Sequence, residues 1–136
     1  PMTKDDFHQY VAQHSKTIRS RGIEPMLFMS WPYKNKPLMI DELRKEFIKA
    51  ANKNNLLLIP VGEAFHKLNA EHPDIDLYTS DLRHPSKEGT YLAAAVVFAT
   101  IFRTTSEGNK GIKDLDPAIA LRIQQIADAT VQEFFN

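Results

Sequence analysis

Two short, uninterrupted apolar runs constrain this chain more than anything else in it: Pro25-Met26-Leu27-Phe28-Met29 and Leu56-Leu57-Leu58-Ile59-Pro60-Val61. Runs of this length without polar alternation are the pattern of strands covered on both faces, as in parallel sheets flanked by helices. Between them, Leu38, Met39, Leu43, Phe47, Ile48 and Ala51 recur at helical spacing among charged residues, and Asn54-Asn55 ends the pattern. Strand, amphipathic helix, strand makes a βαβ unit whose crossover should be right-handed. The other segments read as helices around that unit. Thr3 and Asp6 resemble a capping box ahead of Phe7, Tyr10, Val11, His14 and Ile18, with Gly22 as the stop. Gly62 opens a short helix to about Asn69, broken by His72-Pro73, and Asp116-Pro117 caps a last helix to about Phe135. Two strands against five helices is an imbalance. So narrow a sheet offers helices little to bury against, and its edges expose unpaired N–H and C=O groups. The chain is therefore expected either to form a homo-oligomer or to lack an N-terminal portion that supplies further strands.

Composition narrows the function classes. A length of 136 residues suits one α/β domain, 1–136, and 43% hydrophobic with 25% charged residues is ordinary globular usage. Lys plus Arg and Asp plus Glu each number 17, so no basic field is present to hold nucleic acid. Without cysteine there is no disulfide framework and no thiol chemistry. The opening PMTKDDFHQY is polar and lacks the apolar core of a signal peptide. Leu92 to Phe102, the longest apolar run, falls short of the roughly 20 residues of a membrane span and reads as a buried core helix. His8, His14, His66 and His72 show no zinc spacing with a third ligand, so no metal is expected. Pro1 offers an N-terminal amine similar to that of tautomerases, but nothing else in the chain supports that chemistry.

One stretch is chemically pointed: Tyr78 to Ile101, a polar turn holding Asp81 and His84 that runs directly into an apolar helix. An aspartate three residues before a histidine, in a turn stiffened by Pro85, can bring its carboxylate to the imidazole Nδ1 proton. That fixes the ring and leaves Nε2 free as a general base. Ser86 is a good helix cap, with Glu88 in the first turn, so His84 sits just outside a helix N-terminus. The helix dipole disfavours imidazolium and Asp81 favours it, so the two pull the basicity in opposite directions. A bland reading is also available: Asp81 to His84 as an Asx-type turn ahead of a cap. Ser30-Trp31-Pro32-Tyr33 follows the first strand on the edge where open α/β sheets bind ligands. Trp31 and Tyr33 are thus candidate substrate-binding residues, with packing as the alternative. Ser30 lacks the strand–turn–helix setting that exposes a nucleophile.

The run Asp81-Leu82-Arg83-His84-Pro85-Ser86, followed by Gly89-Thr90-Tyr91-Leu92-Ala93-Ala94, resembles the last motif block of the SGNH (GDSL-type) hydrolases. The resemblance implies a flavodoxin-like three-layer α/β/α fold, here incomplete and with a short parallel sheet. It further implies a serine acyl-enzyme ester hydrolase in which Asp81 orients His84, the base. Neither the Gly-Asp-Ser block of the nucleophile nor a Gly-x-Asn-Asp block occurs in the chain, which looks like the C-terminal portion of such an enzyme. The implied partner is a small-molecule, carbohydrate or lipid ester, and the implied chemistry needs no organic cofactor. The competing expectation is a non-catalytic α/β module that binds a ligand or partner and keeps a vestigial dyad.

Overall fold

The computed structural model describes residues 3–136, so Pro1 and its tautomerase-like amine lie outside the described residues. In chain order the elements are α1 (Lys4–Arg19), β1 (Met26–Phe28), α2 (Met39–Asn54), β2 (Leu57–Ile59), α3 (Val61–Glu71), α4 (Lys87–Phe102) and α5 (Pro117–Phe135). Local chemistry sets most of these boundaries. At α1, the Thr3 hydroxyl accepts from the Asp6 amide while the Asp6 carboxylate accepts from the Thr3 amide, a complete capping box. Asn55 ends α2 in the left-handed conformation that asparagine tolerates, at φ 55°. The Ser86 hydroxyl accepts from the Gly89 N–H at 3.1 Å to start α4, and Asp116 accepts from the Ala118 and Ile119 amides to start α5.

Strands β1 and β2 are parallel, pairing Met26 with Leu57, Leu27 with Leu58 and Phe28 with Ile59. The ladder continues past the strands, where the Met29 N–H donates to Ile59 C=O at 3.0 Å and the Gly62 N–H to Met29 C=O at 3.1 Å. This two-stranded sheet divides the interior. On one side Met29 and Leu58 join Ile40 and Ala51, with Leu43, Phe47 and Ile48 packed against them from α2. On the other, Ile59 joins Phe65, Leu68, Leu77, Leu92, Val96 and Ile123 from α3, α4, α5 and the segment before α4. Fully buried side chains of this size contribute roughly 1.5–3 kcal/mol each, so the second cluster anchors the fold. Arg19 ties α1 to the end of α2, donating to the carbonyls of Asn54 and Asn55, each at 2.7 Å.

The sequence misleads at several places. β1 is not covered on both faces, because Met26 and Phe28 are 44% and 42% exposed. The Met29 backbone points toward β2, so by the period-two alternation of a strand the N–H and C=O of Met26 and Phe28 point to the outer edge, where among the described residues no strand pairs with them. Leu38 is 81% exposed beside the N-terminus of α2, outside its buried face. Tyr10 and His14 lie on the exposed side of α1, stacked on each other. α3 runs to Glu71 rather than Asn69. The helix expected to be buried throughout exposes Ile101 and Phe102 at its end. Among the described residues no helix is long and apolar enough to cross a membrane.

Candidate functional site

Asp81 and His84 are brought together by a tight turn between Tyr78 and Ser86. Tyr78 and Pro85 form an isolated antiparallel bridge, the Thr79 N–H donates to His84 C=O at 2.9 Å, and the Ser86 N–H donates to Leu77 C=O at 2.9 Å. At its tip Leu82 adopts φ 63°, a left-handed conformation that costs a non-glycine residue about 1–2 kcal/mol. Such strain persists only where the surroundings over-determine the backbone. Here the Leu82 N–H donates to Thr79 C=O at 3.0 Å, and the Lys34 N–H donates to Leu82 C=O at 2.9 Å.

Both oxygens of the Asp81 carboxylate accept hydrogen bonds from the turn. Oδ1 accepts from the Thr79 hydroxyl and from the Arg83 and His84 amides, each at 2.9 Å, and Oδ2 accepts from His84 Nδ1 in a short hydrogen bond. The His84 ring, then the two amides and the hydroxyl, hold the carboxyl far below the usual carboxylate range. An ionised carboxylate only accepts, so in the neutral ring Nδ1 carries the proton and Nε2 keeps its lone pair. The His84 side chain is 79% exposed, and among the described residues nothing hydrogen-bonds its Nε2. The pair is thus an oriented imidazole with an exposed Nε2.

The loop leaving the C-terminal end of β1 straps the turn in place, which puts the dyad at the C-terminal edge of the strands. Trp31, read as either a pocket-lining or a packing residue, stacks on Phe65 with ring centroids 4.5 Å apart and donates its indole N–H to Arg83 C=O at 2.9 Å. Tyr33 lies beneath the Arg83 guanidinium, 5.0 Å from its ring centroid, a cation–π contact. Both aromatics therefore hold the residue next to His84 through Arg83. The Tyr78 hydroxyl donates to Pro32 C=O at 2.8 Å, and Lys34 pairs with Asp76 at 2.7 Å. Burial pushes the Tyr78 phenol up, while Lys34 holds the Asp76 carboxyl down.

Two glycines complete the corner. A Cβ on Gly62 would stand 2.3 Å from Ser30 O, and one on Gly89 would stand 2.3 Å from Leu77 O. Each allows backbone to pass against the first turn of a helix, as the costly glycine near the start of α4 implies. Sequence inspection missed Thr79, Lys34 and Arg83. Only the Thr79-x-Asp81 spacing, typical of side chain to backbone turns, carried a readable signal. No group of three His, Asp or Glu side chains gathers in metal-binding geometry among the described residues. Cavities of about 600 Å³, beside Leu57, Arg103 and Phe135, and about 590 Å³, beside Tyr91 and Phe98, are lined by neither Asp81 nor His84.

No protein-family model matches the chain, and no curated protein matches it. It is similar to the crystal structure of a DUF4886 family protein from Bacteroides uniformis ATCC 8492, with a TM-score of 0.84 at 20% identity. The match covers 98% of this chain and 58% of that one. At this identity the likeness shows the fold alone: a compact arrangement of helices around a small parallel sheet. The chain spans somewhat more than half the length of that structure.

Proposed function

We propose that this chain carries the acid–base half of a carboxylic ester hydrolase of the SGNH (GDSL) type, in a flavodoxin-like α/β/α layering of which it holds the later strands. What supports the reading most is the Asp81–His84 pair, a carboxylate locked onto Nδ1 at the C-terminal edge of a parallel sheet with Nε2 exposed. In this chemistry Nε2 takes the proton of a serine hydroxyl as that oxygen attacks the ester carbonyl, and Asp81 steadies the imidazolium. The imidazolium gives its proton to the departing alkoxide, leaving an acyl-enzyme. His84 then takes a proton from water, whose oxygen attacks the acyl carbonyl, and finally returns a proton to the serine. The serine and the oxyanion donors come from sequence outside these 136 residues. Trp31 and Tyr33 act on the dyad by fixing Arg83, and the substrate is a small-molecule, carbohydrate or lipid ester.

The test compares the 136-residue chain with the protein that includes whatever precedes it in its reading frame. The longer protein should hydrolyse p-nitrophenyl acetate with a kcat/KM that falls by about 10³-fold or more in His84→Ala, whereas the 136-residue chain should show no His84-dependent rate. If hydrolysis by the longer protein is indifferent to His84→Ala, the hydrolase reading fails in favour of a binding module with a vestigial dyad. His84-dependent turnover by the short chain alone would overturn the division into halves and point to Ser30 as nucleophile.

A further inference from the structure

A second cavity lies on the outer flank of α4, lined by neither Asp81 nor His84. Helix α4 is apolar on nearly all sides, and Tyr91, Ala94 and Phe98 present apolar surface where a water-facing helix carries polar residues. The segment after α4, residues 103–116, passes over this flank without settling on it, because its polar anchors are on α5. Asp128 accepts from the Ser106 N–H and hydroxyl, both at 2.7 Å, from the Glu107 N–H at 3.1 Å and from the Thr105 hydroxyl. Buried Gln124 accepts from the Gly108 N–H at 2.9 Å and donates to Asn109 C=O at 2.9 Å. Left-handed turns at Gly108, φ 84°, and Lys113, φ 48°, carry the segment around to Leu115, which is buried. A cavity of about 590 Å³ is thereby held open, within the range of small-molecule sites.

Its chemistry is one-sided. Tyr91, Phe98, Ile112 and Leu115 give an apolar lining, Lys87 and Lys113 stand on it, and no carboxylate side chain is among the lining residues. Lys87 Nζ donates to the Asp114 carbonyl at 3.3 Å, which holds one ammonium across the gap. The Tyr91 hydroxyl accepts from Gln124 Nε2 at 2.7 Å and so keeps its own proton to donate. We propose that this pocket binds a small carboxylate with an apolar body, such as a medium-chain or aryl acid. The body lies against Phe98 and Ile112, and the carboxylate meets the two lysines. Nothing in this assignment involves Asp81 or His84, so it stands or falls separately from the hydrolase reading.

Octanoate titrated into the isotope-labelled chain should give saturable amide shifts confined to residues 90–98 and 111–115. Octan-1-ol, which lacks the charge, should bind about tenfold more weakly. The exposed pair Lys87→Gln with Lys113→Gln should lose a similar factor for octanoate and leave octanol unchanged. Ala94→Trp, at an exposed position, should block both by filling the cavity. The amide spectrum of each variant confirms that it is folded. No saturation by octanoate, octanol binding as tightly as octanoate, or an octanoate affinity indifferent to the lysine pair would each overturn the proposal.

Discussion

The dyad corner and the outer edge of β1 are joined through the loop that begins at Met29, yet they are finished to very different degrees. In the corner, three donors converge on one Asp81 oxygen and the His84 ring on the other, while Trp31, Lys34 and Tyr78 fasten the turn to the β1 loop. On the edge, the backbone groups of Met26 and Phe28 have no strand to meet and their side chains are exposed. The difference teaches that this chain fixes the Asp81–His84 geometry with its own residues and leaves the edge of its sheet open. An apolar edge with free backbone groups is a template for another strand.

Four measurements break or sharpen that contrast. Gly89→Val should do the most damage, since its Cβ would stand 2.3 Å from Leu77 O and 3.1 Å from Pro85 Cβ. Backbone cannot step aside as a flexible side chain can, so urea denaturation should report a loss of at least about 3 kcal/mol. Wild-type stability in that variant would mean the corner is loose. Trp31→Ala comes next, at about 2–3 kcal/mol, because it loses the stack on Phe65 and frees Arg83 C=O. Hydrogen exchange at the His84 amide should accelerate with it. Unchanged exchange there would show that the strap does not hold the turn.

Phe28→Lys tests the other region. Its effect on the stability of the folded chain should stay below about 1 kcal/mol, the position being exposed, but its effect on association should be large. By light scattering at micromolar concentration the chain is expected to be a dimer or larger and the Phe28→Lys variant a monomer. A chain that is monomeric throughout would mean that the edge tolerates water without a second copy. The smallest effect concerns acid. The folded Asp81 carboxyl lies below its unfolded value of about 3.9, so its contribution is complete above that pH and is lost as pH falls through the folded value. Asp81→Asn removes the contribution, so stability should fall less steeply below about pH 4 in the variant than in the parent. Parallel curves would show that the hydrogen bonds around Asp81 do not distinguish folded from unfolded chain.

What was legible in the sequence follows from how far each determinant reaches. The caps at Thr3, Ser86 and Asp116 and the stop at Asn55 are written within about four residues, and the structure has all of them. The approach of Asp81 to His84 is equally local. Trp31 and Tyr33 were placed at the edge of the sheet but their contact with Arg83 was not legible, because Arg83 lies 52 residues from Trp31 and no pattern in the chain links them. The exposure of Met26 and Phe28 was hidden for another reason. An apolar run announces that a strand is suited to burial, not that the covering element is present. The left-handed Leu82 carries no signature at all, since leucine has no preference for that conformation.

The corner also has a place in time. The hydrogen bonds inside its turn are short-range, three residues between Asp81 and His84, five between Thr79 and His84, ten between Ser86 and Asp76. Loops this short close with little loss of chain entropy, whereas the β1–β2 ladder must wait for α2 to bring its ends together. Asp81 and His84 are therefore expected to meet before the strands do. On that order the Asp81–His84 pair first forms within a fluctuating turn, and the contacts from Lys34 and Trp31 then fix the left-handed backbone at Leu82.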